Sequence, residues 1–277
     1  MALTVGSGPF GKNPAGVFNR EVPVERGLIY FEDFPRRIRA EFAGETVVDS
    51  RHAKLLHEAG LLPVLYFPAG EVRTDLFRKS EKTSKCPWKG EASYWSIDVE
   101  GHTAEDAVWE YREPNEDAPP IKGYFAIFWH KMDRWLEEDE ELEGHVRDPY
   151  HRVDVLDSSR HVKVSLDGVV LAETKRPKAL FETGLPSRWY IPLEDVKLEH
   201  LERSATETIC AYKGHASTFS VRVNGEVQKD LAWTYPDPRR DVERIRGHVC
   251  FYNEFVDIEV DGEMQERPAS PFSKRPN

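Results

Sequence analysis

Short runs of alternating apolar and polar residues dominate the chain and predict β-strands. Ile38–Phe42 and residues 46–48 flank Gly44, and Val162–Leu166 and residues 169–171 flank Asp167-Gly168. An Asp-Gly pair between alternating apolar residues indicates a tight hairpin. Residues 53–59 and 177–183 are each predicted as a helical turn or two, because a glycine follows them. About six or seven short strands per hundred residues, with minor helix, predict a mainly β chain of small barrel or sandwich-like domains.

The same pattern of residues occurs twice, so the architecture is a duplication. Cys86-Pro87-Trp88-Lys89-Gly90-Glu91-Ala92-Ser93 returns as Cys210-Ala211-Tyr212-Lys213-Gly214-His215-Ala216-Ser217. The correspondence holds without a gap from about residue 29 to residue 133, and a period of this length matches a whole small domain. We therefore predict an N-terminal extension (1–28), a first repeat (29–135), an acidic and ionic connector (136–152), a second repeat (153–262) and a C-terminal tail (263–277).

The segments outside the repeats are predicted to be less ordered. Residues 137–141 are a run of like charge, which is typical of a solvated, poorly ordered connector. Arg147 and His151 follow in a short ionic segment and are candidates for ligand binding if a site spans the two repeats. Residues 6–11 contain a Gly-x-Gly, but no strand precedes it, so we interpret it as a flexible arm and not a phosphate loop. The tail is expected to be loose at its end.

Charge and hydropathy limit the classes of partner. The net charge is −11, which argues against nucleic acid and against an anionic membrane surface, since both need a basic footprint. No stretch approaches 18 consecutive apolar residues and no signal peptide is recognised, so we expect a cytoplasmic protein. The sequence does not indicate an oligomeric state.

The cysteines indicate neither a disulfide framework nor a metal site. There are three, Cys86, Cys210 and Cys250, without the close pairing that structural zinc needs. Cys250 lies opposite Ala126 in the other repeat and is predicted to be a small buried side chain. No metal and no cofactor are expected.

Two repeated lysines are the strongest candidates for chemistry. A lysine desolvated beside a β-core can act as a nucleophile or base; the simpler interpretation of Lys89 and Lys213 keeps the ammonium group in water. Cys86 and Cys210 precede them by three residues, and a nearby ammonium would favour the thiolate, although a buried structural cysteine is the simpler interpretation. Glu91 lies two residues after Lys89 and could share its loop.

The repeats also share aromatic residues that suit either a core or the wall of an apolar pocket. In Trp109-Glu110-Tyr111 both rings point to the same face of a strand, and Trp and Tyr combine an apolar body with a polar tip. The candidate ligand-binding residues are Tyr66, Trp88, Lys89, Ser93, Trp95, Trp109, Tyr111, Trp129, Tyr190, Tyr212, Lys213, His215, Trp233 and Tyr235, together with Arg147 and His151.

These motifs resemble the DUF427 family. The resemblance is carried by Asp49-Ser50, Tyr66-Phe67-Pro68, the Cys86 to Tyr94 segment and Trp109-Glu110-Tyr111, and the second repeat matches more loosely through Cys210 to Ser217. It covers both repeats, so the chain is similar to a tandem member. The resemblance implies a compact, mainly β domain and no particular activity, because the family is named for its unknown function.

The residues favour a binding protein, with two other classes left open. The leading hypothesis is a small-molecule-binding tandem β protein whose ligand is partly apolar and places an anionic group near Lys89 or Lys213. The first alternative is an enzyme that uses Lys89 or Cys86 as nucleophile and Glu91 or His215 as acid/base. The second is a protein interaction module. If only one repeat is active, the first is favoured, because it has Pro87-Trp88 before the lysine and Glu91 after it, and because Trp95 and Trp129 would thicken its aromatic wall.

Overall fold

The computed structural model of the chain describes residue 3, residues 8–10, 16, 17 and 19, residues 28–58 and residues 60–274. Most of the predicted extension lies outside the described residues, including residues 6 and 7 and residue 11 of the Gly-x-Gly segment. The chain divides into two compact units between Asp148 and Pro149. Each unit is described by itself below.

In its described residues the first unit, here the first domain, contains eleven strands. They are β1 (Ile29–Asp33), β2 (Ile38–Phe42), β3 (Glu45–Ser50), β4 (Lys54–Glu58), β5 (Val64–Pro68), β6 (Phe77–Cys86), β7 (Gly90–Val99), β8 (His102–Glu110), β9 (Tyr124–Ile127), β10 (Arg134–Glu137) and β11 (Glu140–Leu142). Short 3₁₀ helices occupy Ala69–Glu71, Thr74–Leu76 and Trp129–Lys131.

The described residues of the second domain repeat this set. The strands are β12 (Val153–Asp157), β13 (Val162–Leu166), β14 (Val169–Thr174), β15 (Lys178–Glu182), β16 (Arg188–Pro192), β17 (Leu201–Cys210), β18 (Gly214–Val223), β19 (Glu226–Thr234), β20 (His248–Phe251), β21 (Asp257–Val260) and β22 (Glu263–Met264). The 3₁₀ helices are Leu193–Asp195, Leu198–His200 and Arg240–Ile245.

Each domain is built from an open seven-stranded antiparallel sheet and a four-stranded sheet. The strand order is β1-β4-β5-β9-β8-β7-β6 in the first domain and β12-β15-β16-β20-β19-β18-β17 in the second. The small sheets follow β11-β10-β2-β3 and β14-β13-β21-β22. Identical order in the two domains confirms the duplication. In the described residues, the large sheet ends in two edge strands that do not pair with each other. Of the two predicted architectures, the domains are therefore sandwich-like and not closed barrels.

The main core of each domain lies between its two sheets. In the first domain, Phe67 of β5 stacks on Trp135 of β10 with ring centroids 6.2 Å apart, and Ile97 is fully buried beside them. In the second, Ile191 and Val221 occupy the same layer. Alternation along each strand turns every second side chain of the large sheet into this core. The predicted hairpin at Asp167-Gly168 is confirmed, and both residues have positive φ values of 49° and 78°.

The helical turns predicted at residues 53–59 and 177–183 are wrong. Their central parts form β4 and β15, and residue 59 lies outside the described residues. A short apolar run cannot be assigned to helix or strand by its pattern alone. Here β4 pairs with β1 on one side and with β5 on the other, so tertiary pairing decides the conformation. Gly60 and Gly184 do have positive φ, but they serve β-turns.

The acidic run is ordered, contrary to expectation. Leu136, Leu142 and Val146 are buried among its charges and attach it to the first domain. Glu137 ends β10 with a buried side chain whose carboxylate accepts a hydrogen bond from Arg36. Apolar residues spaced between the acids therefore override the disorder that like charge alone would favour.

Part of the tail is also ordered. Glu263–Met264 extends the small sheet of the second domain, and Arg267 donates to the Asp257 carboxylate at 2.8 Å. Ser270 donates a hydrogen bond to Glu254. Residues 275–277 lie outside the described residues.

Candidate functional site

The large sheet of each domain buries side chains on both of its faces. On β5, Leu65 and Phe67 point into the main core, whereas Tyr66 points to the opposite side, here called the outer face. A second apolar cluster covers the outer face of each domain. Its buried members are Leu56, Tyr66, Ala92, Tyr94, Tyr111, Ile121 and Ala126 in the first domain, and Val155, Leu180, Tyr190, Ala216, Trp233, Tyr235, Val242, Ile245 and Cys250 in the second.

The turn between β6 and β7 fixes the position of Lys89. Cys86 and Gly90 face each other across this turn, and Asn115 binds its backbone by donating to the carbonyls of Lys89 and Pro87 at 3.2 and 2.8 Å. Gly90 has a φ of +104°, and a Cβ atom there would lie 3.2 Å from the Glu113 carbonyl. Only glycine suits both the conformation and the close approach. The glycine that follows the lysine therefore allows the tight turn that fixes the position of Lys89.

Lys89 binds Glu58 on the outer face. Its Nζ donates a hydrogen bond to Glu58 Oε2, and the two side chains are only 9% and 16% exposed. The ammonium group is thus not in bulk water, which corrects the simpler expectation for this lysine. Glu58 is the more exposed member of the pair.

The second domain repeats this ion pair and adds a histidine. Lys213 Nζ lies 2.5 Å from Glu182 Oε2, and His151 Nε2 lies 3.0 Å from Glu182 Oε1. Burial alone would raise the pKa of Glu182, but the His151 hydrogen bond and the Lys213 charge lower it to about 2. The ring of Tyr212 lies 4.0 Å from that of His151 and covers it. The residue that corresponds to His151 in the first repeat is Gly27, outside the described residues.

Aromatic side chains share the outer face with both ion pairs. Tyr66 meets Trp109 edge-on with ring centroids 6.4 Å apart, and Trp233 donates from Nε1 to the Tyr190 hydroxyl at 3.1 Å. Burial raises the pKa values of Tyr66, Tyr111, Tyr190 and Tyr235 above the ordinary range of tyrosine. These phenols are therefore neutral hydrogen-bonding groups in apolar surroundings.

The cysteines differ in exposure. Cys86 and Cys210 are half-buried and pack against the outer-face clusters of their own domains. Cys250 is fully buried, as predicted, and burial raises the pKa of its thiol to about 12. A thiol of this kind is inert at neutral pH.

Several predicted residues lie away from the ion pairs. Glu91 is exposed on β7 and pairs with Lys85 at 3.5 Å instead of Lys89. Trp88 is 42% exposed and His215 is also exposed. Ser93 lies between Ala92 and Tyr94 on β7, so its side chain points away from the outer face. Glu91 is therefore not the ion-pair partner of Lys89.

Trp95 and Trp129 lie on the core side of the large sheet. Trp95 donates to Glu110 at 3.2 Å, and Trp129 stacks on Trp135 at 4.5 Å with the planes 8° apart. They cannot thicken an aromatic wall beside Lys89, so this part of the reasoning for the first repeat does not hold. Arg147 belongs to the first domain and lies 3.7 Å from Glu137, again away from Lys89.

A second buried ion pair in the second domain was not foreseen. Arg188 binds Glu254 through two hydrogen bonds of 2.7 and 2.8 Å, and its guanidinium lies over the rings of Trp233 and Tyr252 at 5.6 and 5.7 Å. The first repeat has Val64 and His130 at the corresponding positions. This difference between the repeats is the signal that could have revealed it.

The described residues offer no metal centre and no helix for a membrane. No group of three or more His, Cys, Asp or Glu side chains is arranged to hold a metal ion in residues 28–58 and 60–274 or the short described segments before them. Among the described residues, no helix has the length and apolar character needed to cross a bilayer.

Fold and site define a class of protein: two copies of a two-sheet β domain, each with a buried lysine–glutamate pair on the outer face of its large sheet. Residues 30–138 and 154–262 both match the family described as a domain of unknown function, DUF427. The chain belongs to this family and carries two copies of its domain. A comparison with curated proteins found no match.

Proposed function

We propose that the protein binds a small, partly apolar molecule on the outer face, with a polar group of the ligand at the lysine–glutamate pair. The observation that carries this proposal is the pair itself, which both domains keep among aromatic rings outside the main core. Burying two charges costs free energy that their attraction only partly returns, so a buried pair is a poor device for stability alone. Apolar side chains would cover this face at less cost. A pair retained at that cost suits recognition.

The ion pair also indicates the polarity of the ligand. Glu58 neutralises Lys89, so an anionic group is less strongly favoured than a lysine alone would suggest. The ammonium group has three donors and the carboxylate has several acceptor positions. A neutral polar group that both accepts and donates hydrogen bonds fits this pair. The half-buried rings of Trp109 and Phe128, with centroids 4.5 Å apart, supply an apolar surface for the rest of the ligand.

The test is a metabolite screen followed by matched variants. Native mass spectrometry of the purified protein detects a retained ligand, and thermal unfolding detects added ones, since a ligand at 100 times its Kd adds about 2.7 kcal/mol. Each hit is then measured against Lys89→Met, Lys213→Met and the control Lys122→Met, which removes an exposed ion pair with Glu113. We expect the first two variants to lose binding and the control to retain it. Hits that bind all three variants equally, or a screen without hits, would contradict the proposal.

An enzymatic role is a second candidate, supported by the second domain only. His151, Glu182 and Lys213 form a hydrogen-bonded chain, an arrangement that can move a proton. Incubating each screened hit with the protein and following its mass tests this role. A changed mass that disappears in Glu182→Gln would support catalysis. An unchanged mass together with an unchanged chromatographic retention time on a chiral column would leave binding as the function.

The compartment and the partners are part of the same proposal. Three free cysteines support a reducing compartment such as the cytoplasm. The net charge of −11 supports a ligand other than nucleic acid and a location away from anionic membranes.

A further inference from the structure

The ordered part of the tail covers one end of the outer face in the second domain. Phe272 lies with its ring centroid 6.0 Å from that of Tyr252 and 5.8 Å from the Arg188 guanidinium. Ser270 donates its hydroxyl to Glu254, the partner of Arg188. One aromatic ring and one hydroxyl donor of the tail thus meet an aromatic ring, a guanidinium and a carboxylate of the domain.

This tail segment holds its own shape. Ser270 accepts a hydrogen bond at its Oγ from the Phe272 amide at 3.0 Å, and its own amide donates to Ser273 Oγ at 2.9 Å. Pro268 and Pro271 restrict the backbone on either side of Ser270. A segment already held in its bound shape loses little conformational entropy when it docks. Residues 268–273, here called the tail turn, therefore have internal hydrogen bonds that favour their docked shape.

The receptor for the tail turn is buried and belongs to the outer face. Arg188 and Glu254 have side chains only 6% and 1% exposed. The Arg188 guanidinium also lies over Trp233, whose Nε1 binds Tyr190 in the outer-face cluster. By contrast Phe272 is 42% exposed, so its ring covers the site without being part of the core. Burial pushes the pKa of Glu254 upward, but the hydrogen bonds from Arg188 hold it below its ordinary value, so the acceptor is ionised at neutral pH.

We propose that the Arg188–Glu254 end of the second domain is a binding site for an aromatic group that carries a neighbouring hydrogen-bond donor, and that the tail turn occupies it as an internal ligand. The site rests on the proposed function, because it extends the same outer face, and it adds a ligand class and a competitor. The first domain has Val64 and His130 in place of this ion pair, so it does not share the specificity. An external ligand must displace Phe272 and Ser270 before it can bind.

The size of this competition follows from the short tether. The tail turn begins only a few residues after β22, and a short tether gives an effective concentration on the order of 1 mM. If a free peptide of the same sequence binds the empty site with a Kd of about 0.1 mM, occupation by the tail weakens that binding by roughly tenfold.

The experiment compares four proteins: the wild type, the chain truncated after Arg267, and the full-length variants Phe272→Ala and Lys274→Ala. The probe is a fluorescein-labelled synthetic peptide of residues 266–277, measured by fluorescence anisotropy. We expect it to bind the protein truncated after Arg267, and the full-length Phe272→Ala variant, about tenfold more tightly than the wild type. Full-length Lys274→Ala keeps the contacts of the tail turn and serves as the matched control, with wild-type affinity expected. A peptide carrying Phe272→Ala should not bind the truncated protein.

The outcomes separate this proposal from the proposed function. If the peptide fails to bind the truncated protein while circular dichroism and thermal unfolding show an intact fold, the internal-ligand proposal is overturned. Equal binding to the wild type and to the truncated protein overturns it as well, because the peptide then uses another surface. Neither result affects the ligand screen against Lys89→Met and Lys213→Met, which probes the lysine–glutamate pairs.

Discussion

The low pKa of Glu182 makes the second domain sensitive to acid. Its ordinary value of 4.5 falls to about 2 in the folded protein, so the unfolded chain binds a proton more readily between these two values. Stability contributed by Glu182 is therefore fully present above about pH 4.5 and is lost as the pH falls toward 2. Each pKa unit corresponds to about 1.4 kcal/mol, so the contribution is on the order of 3 kcal/mol.

The perturbation that tests this reasoning is Glu182→Gln. The variant lacks the titrating group. When the pH is lowered from 6 to 2, its free energy of unfolding should therefore decrease by about 3 kcal/mol less than that of the wild type. The comparison of the two pH profiles cancels the acidic groups that both proteins share. Glu226→Gln removes an exposed carboxylate of the same domain and should follow the wild-type profile.

The assay must resolve the two domains. The second domain contains only Trp189 and Trp233, so 5-fluorotryptophan labelling and ¹⁹F NMR during urea unfolding report on each domain separately. Parallel pH profiles for the wild type and Glu182→Gln would refute the assigned role of Glu182. So would an equal change in the signals of the first domain.

Three further predictions concern the first domain. Lys89→Met should destabilise this domain by up to about 3 kcal/mol, because it leaves Glu58 without its partner. The double variant Lys89→Met/Glu58→Leu should recover most of that loss in urea unfolding. A double variant as unstable as the single one would contradict the ion-pair argument. Gly90→Ala should cost about 1–3 kcal/mol, because φ is +104° and the Cβ meets backbone at 3.2 Å, whereas Gly101→Ala, with open space around it, should cost less in the same assay. Trp129→Ala should lower stability by about 2 kcal/mol through its lost stacking yet leave the affinity for a screened ligand unchanged, and a lost affinity would show that the core side of the sheet takes part in binding.

The internal repeat made most of the fold predictable. Matching positions in both halves of the chain identified the domains and most strands, because the same alternation had to fit twice. The assignment of β4 and β15 failed since Leu55 and Leu56 bury themselves on opposite faces of the sheet, and a run of buried residues has no strand signature. Strand pairing, which joins residues distant in sequence, settles such segments.

The candidate site was predictable only in part. Lys89 and Lys213 were identified by their repetition, but their partners lie 31 residues away in the chain. Glu58 and Glu182 also occupy matching positions in the two repeats. The sequence therefore contained a signal for these partners, but nothing in it favoured these two carboxylates over the others. Trp95 was assigned to the wrong face, because a face can be read only once strand register is known. His151 was named from its ionic neighbours, whereas its partner proved to be Glu182.

The Arg188–Glu254 pair has a consequence for how the two repeats fold. Adjacent domains of similar sequence can exchange equivalent strands and become trapped as misassembled hybrids. If β16 took the place of β5 in the first domain, Arg188 would lie where Val64 lies and would face His130 instead of Glu254. Arg188 would lose the carboxylate that pairs with it in its own domain, and this loss disfavours the exchange. The pair that distinguishes the second domain therefore also disfavours a misassembled chain in which β16 is inserted into the first domain.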